Sequence, residues 1–95
     1  MNKVIIAGTI CNQTYKLVDK GKVYAIIFIK LKVEKVKEEI EIIAKNNIAD
    51  FMYRTYKIGD KILIEGYLQK TKEGLIVVVN NVEKIDGKVD KKPVR

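Results

Sequence analysis

The chain has no histidine, no tryptophan, one cysteine and one proline among its 95 residues. Each shortage excludes something. Without histidine, the commonest general base and the commonest metal ligand are both gone. A single thiol, Cys11, cannot close an intramolecular disulfide, which fits a reducing cytosol. Cys11 reads as a small apolar residue at a strand end rather than a reactive group. No catalytic triad, cysteine cluster or Gly-rich phosphate loop is present, and Gly8 to Cys11 reads as strand. Asp50 with Glu41 or Glu65 has no spacing that supports an acid pair. No enzymatic activity, metal or cofactor is therefore expected. The apolar runs are short and broken by charge, and the start lacks the apolar stretch of a signal peptide, so a cytoplasmic protein is expected.

What is present is apolar and basic. Apolar residues make up 47%, enough for a core and too many for a disordered chain. The length predicts one domain, over 1–86, with 87–95 as a flexible charged tail. Nineteen Lys and Arg against twelve Asp and Glu give a net charge of +7. That balance favours a polyanionic partner.

Strand patterns dominate. In Met1 to Ile10, residues Val4, Ile6, Gly8 and Ile10 share one face. Asn12 to Gly21 reads as a loop or irregular extension with a turn at Asp19-Lys20-Gly21. Val23 to Val33 places every odd position, all apolar, toward a core. Glu38 to Ala44 reads as the returning strand. A turn near Lys35-Val36 sets Ile29 opposite Ile42, Leu31 opposite Ile40, Lys30 opposite Glu41 and Lys32 opposite Glu39. Core then meets core and opposite charges meet.

Asn46-Asn47 offers an N-cap for a helix over Ile48 to Lys57, with Gly59 as its left-handed stop. Ile48, Phe51 or Met52, Thr55 and Ile58 recur at helical spacing as its buried stripe. Tyr53 and Tyr56 read as helix residues that cap a barrel or sit at its surface. Lys61 to Gln69 is a strand with Ile62, Ile64 and Leu68 inward, and Gly66 marks a bend or bulge. Lys72-Glu73-Gly74 turns into a last strand, Leu75 to Ile85. The order β-β-β-α-β-β predicts a mostly β protein, a five-stranded OB-fold barrel.

Four segments carry a family likeness: MNKVIIAGTIC, Gly21 leading into the second strand, KNNIADFMYRTYKIGDKILIEGYLQ, and VVVNNVEKI. With them the chain resembles the bacterial single-stranded DNA-binding (SSB) family, which includes the short primosomal replication protein PriB. The resemblance covers Met1 to about Asp86. It implies single-stranded DNA binding in replication, recombination or restart, a homodimer or homotetramer, and contact with other replication proteins. The chain also departs from the family. The positions where SSB proteins stack bases fall near Glu34, Glu39, Lys45 and Glu73, and none is aromatic. The turn between the second and third strands is shorter than in SSB. The chain ends Lys91-Lys92-Pro93-Val94-Arg95, where SSB carries an acidic tip.

Single-strand binding needs cations for the backbone and π-faces for the bases. Tyr15, Phe28 and Tyr67 are the stacking candidates. Lys16, Lys30, Lys32, Lys70 and Lys72 are the phosphate candidates, although the expected register sets Glu41 and Glu39 against Lys30 and Lys32. Tyr24, Ile26 and Phe28 form an outward apolar face that suits either bases or a second subunit. Two other readings stand beside DNA binding: an OB-fold interaction module with little DNA affinity, and a single-stranded RNA binder.

Overall fold

The computed structural model describes residues 2–85. The tail expected at 87–95 lies outside the described residues. Five strands and one helix follow in the order β1 (Val4–Asp19), β2 (Val23–Lys32), β3 (Ile40–Lys45), α1 (Asn46–Thr55), β4 (Lys61–Thr71) and β5 (Gly74–Lys84). β1 pairs with β2 and β4, β2 with β3, β3 with β5, and β5 with β4, so the sheet closes as β1-β2-β3-β5-β4. All contacts are antiparallel except the short β3–β5 join at Ile42–Val77 and Ile43–Val78. This is the expected OB-fold.

β1 is longer than its sequence pattern suggests. Asn12 to Asp19, read as a loop, continues the strand and pairs with β2 from Lys30 to Val23. Polar side chains hid it, yet the backbone finds a full ladder on β2. A bulge makes the continuation possible: the register skips Cys11 between Ile10 and Asn12. An extra residue bends a strand. Val4–Thr9 can therefore pair with β4 while Thr9–Asp19 pairs with β2. Cys11 sits at this bulge, inside β1 and not at a strand end.

The expected β2–β3 register is observed: Ile29 opposes Ile42, Lys30 opposes Glu41 and Leu31 opposes Ile40. The turn closes through Val36 N–H to the Val33 carbonyl at 3.1 Å. β3 begins at Ile40, so Glu39 stands outside the ladder and the expected Lys32–Glu39 pairing does not form.

Inward side chains fill the barrel. Ile10, Ile27, Ile29, Leu31, Ile42, Ile62 and Ile64 are fully buried, and Met52 of α1 plugs one end. The helix begins at Asn46, two residues earlier than expected, with Asn46 at φ 57° and no side-chain cap on the first turn. Its buried face is Ala49, Met52 and Tyr56 with Ile48 packed alongside, whereas Phe51 and Ile58 are exposed. Gly59 does not stop the helix. The chain leaves α1 at Tyr56, whose N–H bonds the Met52 carbonyl, and Gly59 at φ 101° serves a turn further on. That turn is tied to β1 by Gly59 N–H to Ile10 O at 2.8 Å and Ile10 N–H to Asp60 O at 2.9 Å.

Two hairpins overhang the barrel. β3 covers β2 only from Ile26 to Leu31 and meets β5 only at Val77 and Val78. Beyond those points β1–β2 and β4–β5 are two-stranded ribbons with no sheet behind them. Val23, expected to face the core, is consequently exposed; Leu68, also expected inward, is exposed although its partner Val77 is in the β3–β5 join. Gly66 is a corner, as expected: the β4–β5 register shifts between Glu65 and Gly66, leaving Asn80 unpaired.

Candidate nucleic-acid interface

Alternation along β2 fixes the site. Ala25, Ile27, Ile29 and Leu31 point in, so Tyr24, Ile26, Phe28 and Lys30 point out. Side chains at paired positions share a face, which extends the outward set across the sheet. Thr14 of β1 opposes Phe28, Phe28 opposes Ile43, Ile43 opposes Val78, and Val78 opposes Tyr67. One row thus runs over all five strands, apolar or aromatic from Phe28 to Tyr67 and ending in Thr14 on β1. Val78 is buried although it is not part of the barrel core, as expected of a small residue in the middle of that row.

Lysines edge the row. On one side Lys16 opposes Ile26 and Ile26 opposes Lys45. The Lys16 Nζ lies 5.5 Å from the centre of the Phe28 ring, a cation–π distance. On the other side Lys30 follows Phe28 by two residues, with Lys32 beyond it. Lys30 and Lys32 join Lys37, Glu38, Glu39 and Glu41 around a depression of about 480 Å³. Lys30 faces Glu41 in register, yet no ion pair within 4.0 Å forms there. Among the described residues the ion pairs are Lys3–Glu65 at 2.9 Å and Lys84–Asp60 at 3.7 Å, both away from the row.

The β4–β5 ribbon walls the site. A groove of about 410 Å³ runs between the sheet and this ribbon, floored by Phe28 and Ile43. Glu41, Lys45, Gln69, Thr71, Glu73, Leu75 and Ile76 complete its lining. Gln69 opposes Ile76, which puts both on the groove side. Thr71 braces the turn: its hydroxyl donates to the Gly74 carbonyl at 2.9 Å and accepts from the Glu73 N–H at 3.2 Å. Gly74 takes φ 127°, which only glycine adopts freely.

The structure gathers some of the expected site residues and separates others. Phe28, Lys16, Lys30, Lys32 and Tyr67 lie on the outer face. Lys70 is not among the groove-lining residues, which on β4 are Gln69 and Thr71 at the alternate positions. Lys72 is at the turn of the same ribbon, outside the groove lining. Tyr15 faces the opposite way from Lys16 and meets α1. Its hydroxyl donates to the Asp50 carboxylate, and its ring stacks on Tyr53 with centroids 4.2 Å apart. That bond to Asp50, followed by burial, holds the Tyr15 phenol above its ordinary pKa. Lys45, Ile43 and Ile76 are the residues that sequence reading missed as site residues. The two-residue period Glu41, Ile43, Lys45 carried the signal for the first two.

Cys11 offers no reactive thiol to this face. Burial, then the neighbouring Glu39, pushes the Cys11 thiol up, and its Sγ donates to the Lys30 carbonyl at 3.3 Å. A protonated thiol is a poor nucleophile and a poor ligand. Among the described residues no three His, Cys, Asp or Glu side chains cluster to hold a metal ion. No helix among them is long and apolar enough to cross a membrane.

No family model and no curated sequence relative matches this chain. Solved structures do match it in fold. The SSB domain of a Synechococcus protein superposes with a TM-score of 0.75 at 15% identity, over 87% of this chain and 94% of that one. The single-stranded DNA-binding protein of Thermus aquaticus gives 0.77 at 20% identity, over all of this chain, which spans 43% of the Thermus protein. PriB of Ralstonia solanacearum gives 0.72 at 15% identity, over 88% of this chain and 97% of that one.

Proposed function

We propose that this OB-fold chain binds single-stranded nucleic acid, DNA in the first place, across the outer face of β2 and β3. The observation that carries the reading is the row Phe28–Ile43–Val78–Tyr67 edged by Lys16, Lys45 and Lys30. Apolar and aromatic surface takes bases without regard to sequence, and flanking ammonium groups take the phosphates. The fold shared with SSB and PriB structures supports the same reading. The protein acts without catalysis, in replication, recombination or restart. It works as a homodimer or homotetramer, because one small barrel offers few contacts. Lys70 and Lys72 add long-range attraction from the ribbon tip.

Binding is led by the backbone, so it is salt-sensitive. If about five lysines each neutralise a phosphate, the log–log salt slope is roughly −3.5, and affinity falls about 100-fold between ~50 and ~200 mM salt. Anisotropy of a labelled oligo-dT of about 35 nucleotides tests this at both salts, with matching duplex and oligo-U as comparisons. Saturable, salt-weakened binding that exceeds the duplex supports the proposal. Equal or tighter binding of oligo-U assigns RNA.

A second reading has its own observation. Glu41 and Glu73 line the groove beside Leu75 and Ile76. Carboxylates repel phosphate, whereas a basic, apolar protein segment fits that lining. A folded protein that ignores oligo-dT at low salt is then an interaction module.

A further inference from the structure

The aromatic pair between β1 and α1, Tyr15 and Tyr53, has no part in the outer-face site. Tyr15 and Tyr53 stack with rings 4.2 Å apart and 13° from parallel. Tyr15 is fixed at both ends, by its strand and by its hydrogen bond to Asp50. Asp50 and Tyr53 are one helical turn apart, so both present to the same strand. Tyr15 covers one face of Tyr53, yet Tyr53 remains 51% exposed. Leu17 continues the Tyr15 side of β1 and is 64% exposed. Arg54 follows Tyr53, and its charge reaches the Tyr15 phenol.

The position relative to the outer face is specific. Tyr15 and Lys16 are consecutive on β1 and so point to opposite sides of it. Lys16 stands over Phe28, and Tyr15 lies under Tyr53. Between these two places β1 has a free edge: β4 pairs with it only from Val4 to Thr9. From Asn12 to Asp19 that edge carries no paired strand among the described residues.

We propose that the open face of Tyr53, backed by Tyr15, is a second base-stacking platform that receives a nucleobase of the same single strand after it passes Lys16 and the free edge of β1. The proposal rests on the single-strand reading above and extends its footprint to the helix side of the barrel. Tyr15 serves as the rigid underlayer, so the platform is already formed before the strand arrives. Arg54 supplies the nearby positive charge, which offsets the Asp50 carboxylate that Tyr15 already engages.

The test compares wild type, Tyr53→Ala, Tyr53→Phe and Phe28→Ala on oligo-dT of about 35 nucleotides and on an abasic oligomer of equal length. Tyr53→Ala is expected to weaken oligo-dT binding roughly 5- to 100-fold, to leave abasic binding unchanged, and to be rescued by Tyr53→Phe. Ultraviolet crosslinking of wild type to a bromodeoxyuridine oligomer is expected to label the peptide holding Tyr53, which needs no variant to fold. An equal loss on both oligomers, or no crosslink at Tyr53, overturns the platform. Unchanged oligo-dT binding by Tyr53→Ala while Phe28→Ala loses affinity overturns the platform and leaves the outer-face site standing. Failure of wild type to bind oligo-dT removes both.

Discussion

Replacing Gly66 with alanine should destabilise this protein more than the same change at Gly8. A Cβ at Gly66 would run into the Val78 carbonyl oxygen, with the Val78 carbonyl carbon at 2.9 Å and the Val79 Cα at 3.2 Å. All three are backbone atoms of the neighbouring strand, so no rotamer change relieves the collision. The strands must separate at the bulge, where ladder bonds and the buried Val77 and Val79 are lost together. Overpacking costs about 1–3 kcal/mol when side chains can shift. With backbone on the far side, the upper end applies, about 3 kcal/mol. For a chain of this size that lowers Tm by roughly 12–24 °C. Gly8 is the internal control. Its added Cβ would meet the Lys32 carbonyl at 3.0 Å but otherwise side-chain atoms, Leu31 Cβ and Val33 Cγ2, at 3.2 Å. Gly8→Ala should therefore cost about 1 kcal/mol, at the low end of overpacking. Circular dichroism melts and urea titrations of both variants measure the difference. If Gly66→Ala melts at or above Gly8→Ala, the close-approach argument is wrong. The consequence reaches the site, because this corner aims the β4–β5 ribbon that walls the groove.

Other outcomes follow from the same geometry. Ile27→Ala removes a fully buried side chain at the barrel centre and should cost about 2–5 kcal/mol in urea unfolding with an unchanged m-value. Lys16→Ala with Lys45→Ala should flatten the log–log salt slope for oligo-dT by roughly 1.4, whereas Lys70→Ala with Lys72→Ala should flatten it less, since neither is aligned along the edge of the apolar row as Lys16 and Lys45 are. The phenols of Tyr15 and Tyr56 are both raised, Tyr15 chiefly by its bond to Asp50 and Tyr56 chiefly by burial. A raised phenol keeps its proton in the fold after the unfolded chain has released it. Stability is therefore intact below about pH 10 and lost as pH rises beyond it, and Tyr15→Phe should show a shallower alkaline loss than wild type. A melt series from pH 8 to 11 checks the sign, and stability that rises with pH would contradict both assignments.

Much of the fold was legible because its signals are local. The two-residue period of Val23 to Val33 named the core face of β2. Opposite charges at Lys30 and Glu41 pointed to the observed β2–β3 register, and Gly66 announced its corner by lacking a side chain. The second half of β1 was illegible for the opposite reason. Asn12 and Gln13 carry no strand signal of their own, and they pair because β2 offers them a ladder and the Cys11 bulge turns them toward it. The same applies to Gly59, whose left-handed backbone serves the Ile10 contact rather than the end of α1.

The site divides along the same line. Sequence by itself determined the chemistry available: lysines without histidine, tyrosines and phenylalanine without tryptophan, and an alternation that sends Phe28 outward. Which of these groups act together was decided only by tertiary structure. Phe28, Ile43, Val78 and Tyr67 come from four strands, and only the β3–β5 join brings them into one row. Lys45 gained a role through its alignment with Lys16 across Ile26. Tyr15 and Lys16, adjacent in the chain, were assigned to opposite sides of the barrel by the pleat. Periodicity is a property of one strand, whereas a binding face is a property of how strands are placed beside one another, and long-range pairing alone sets that placement.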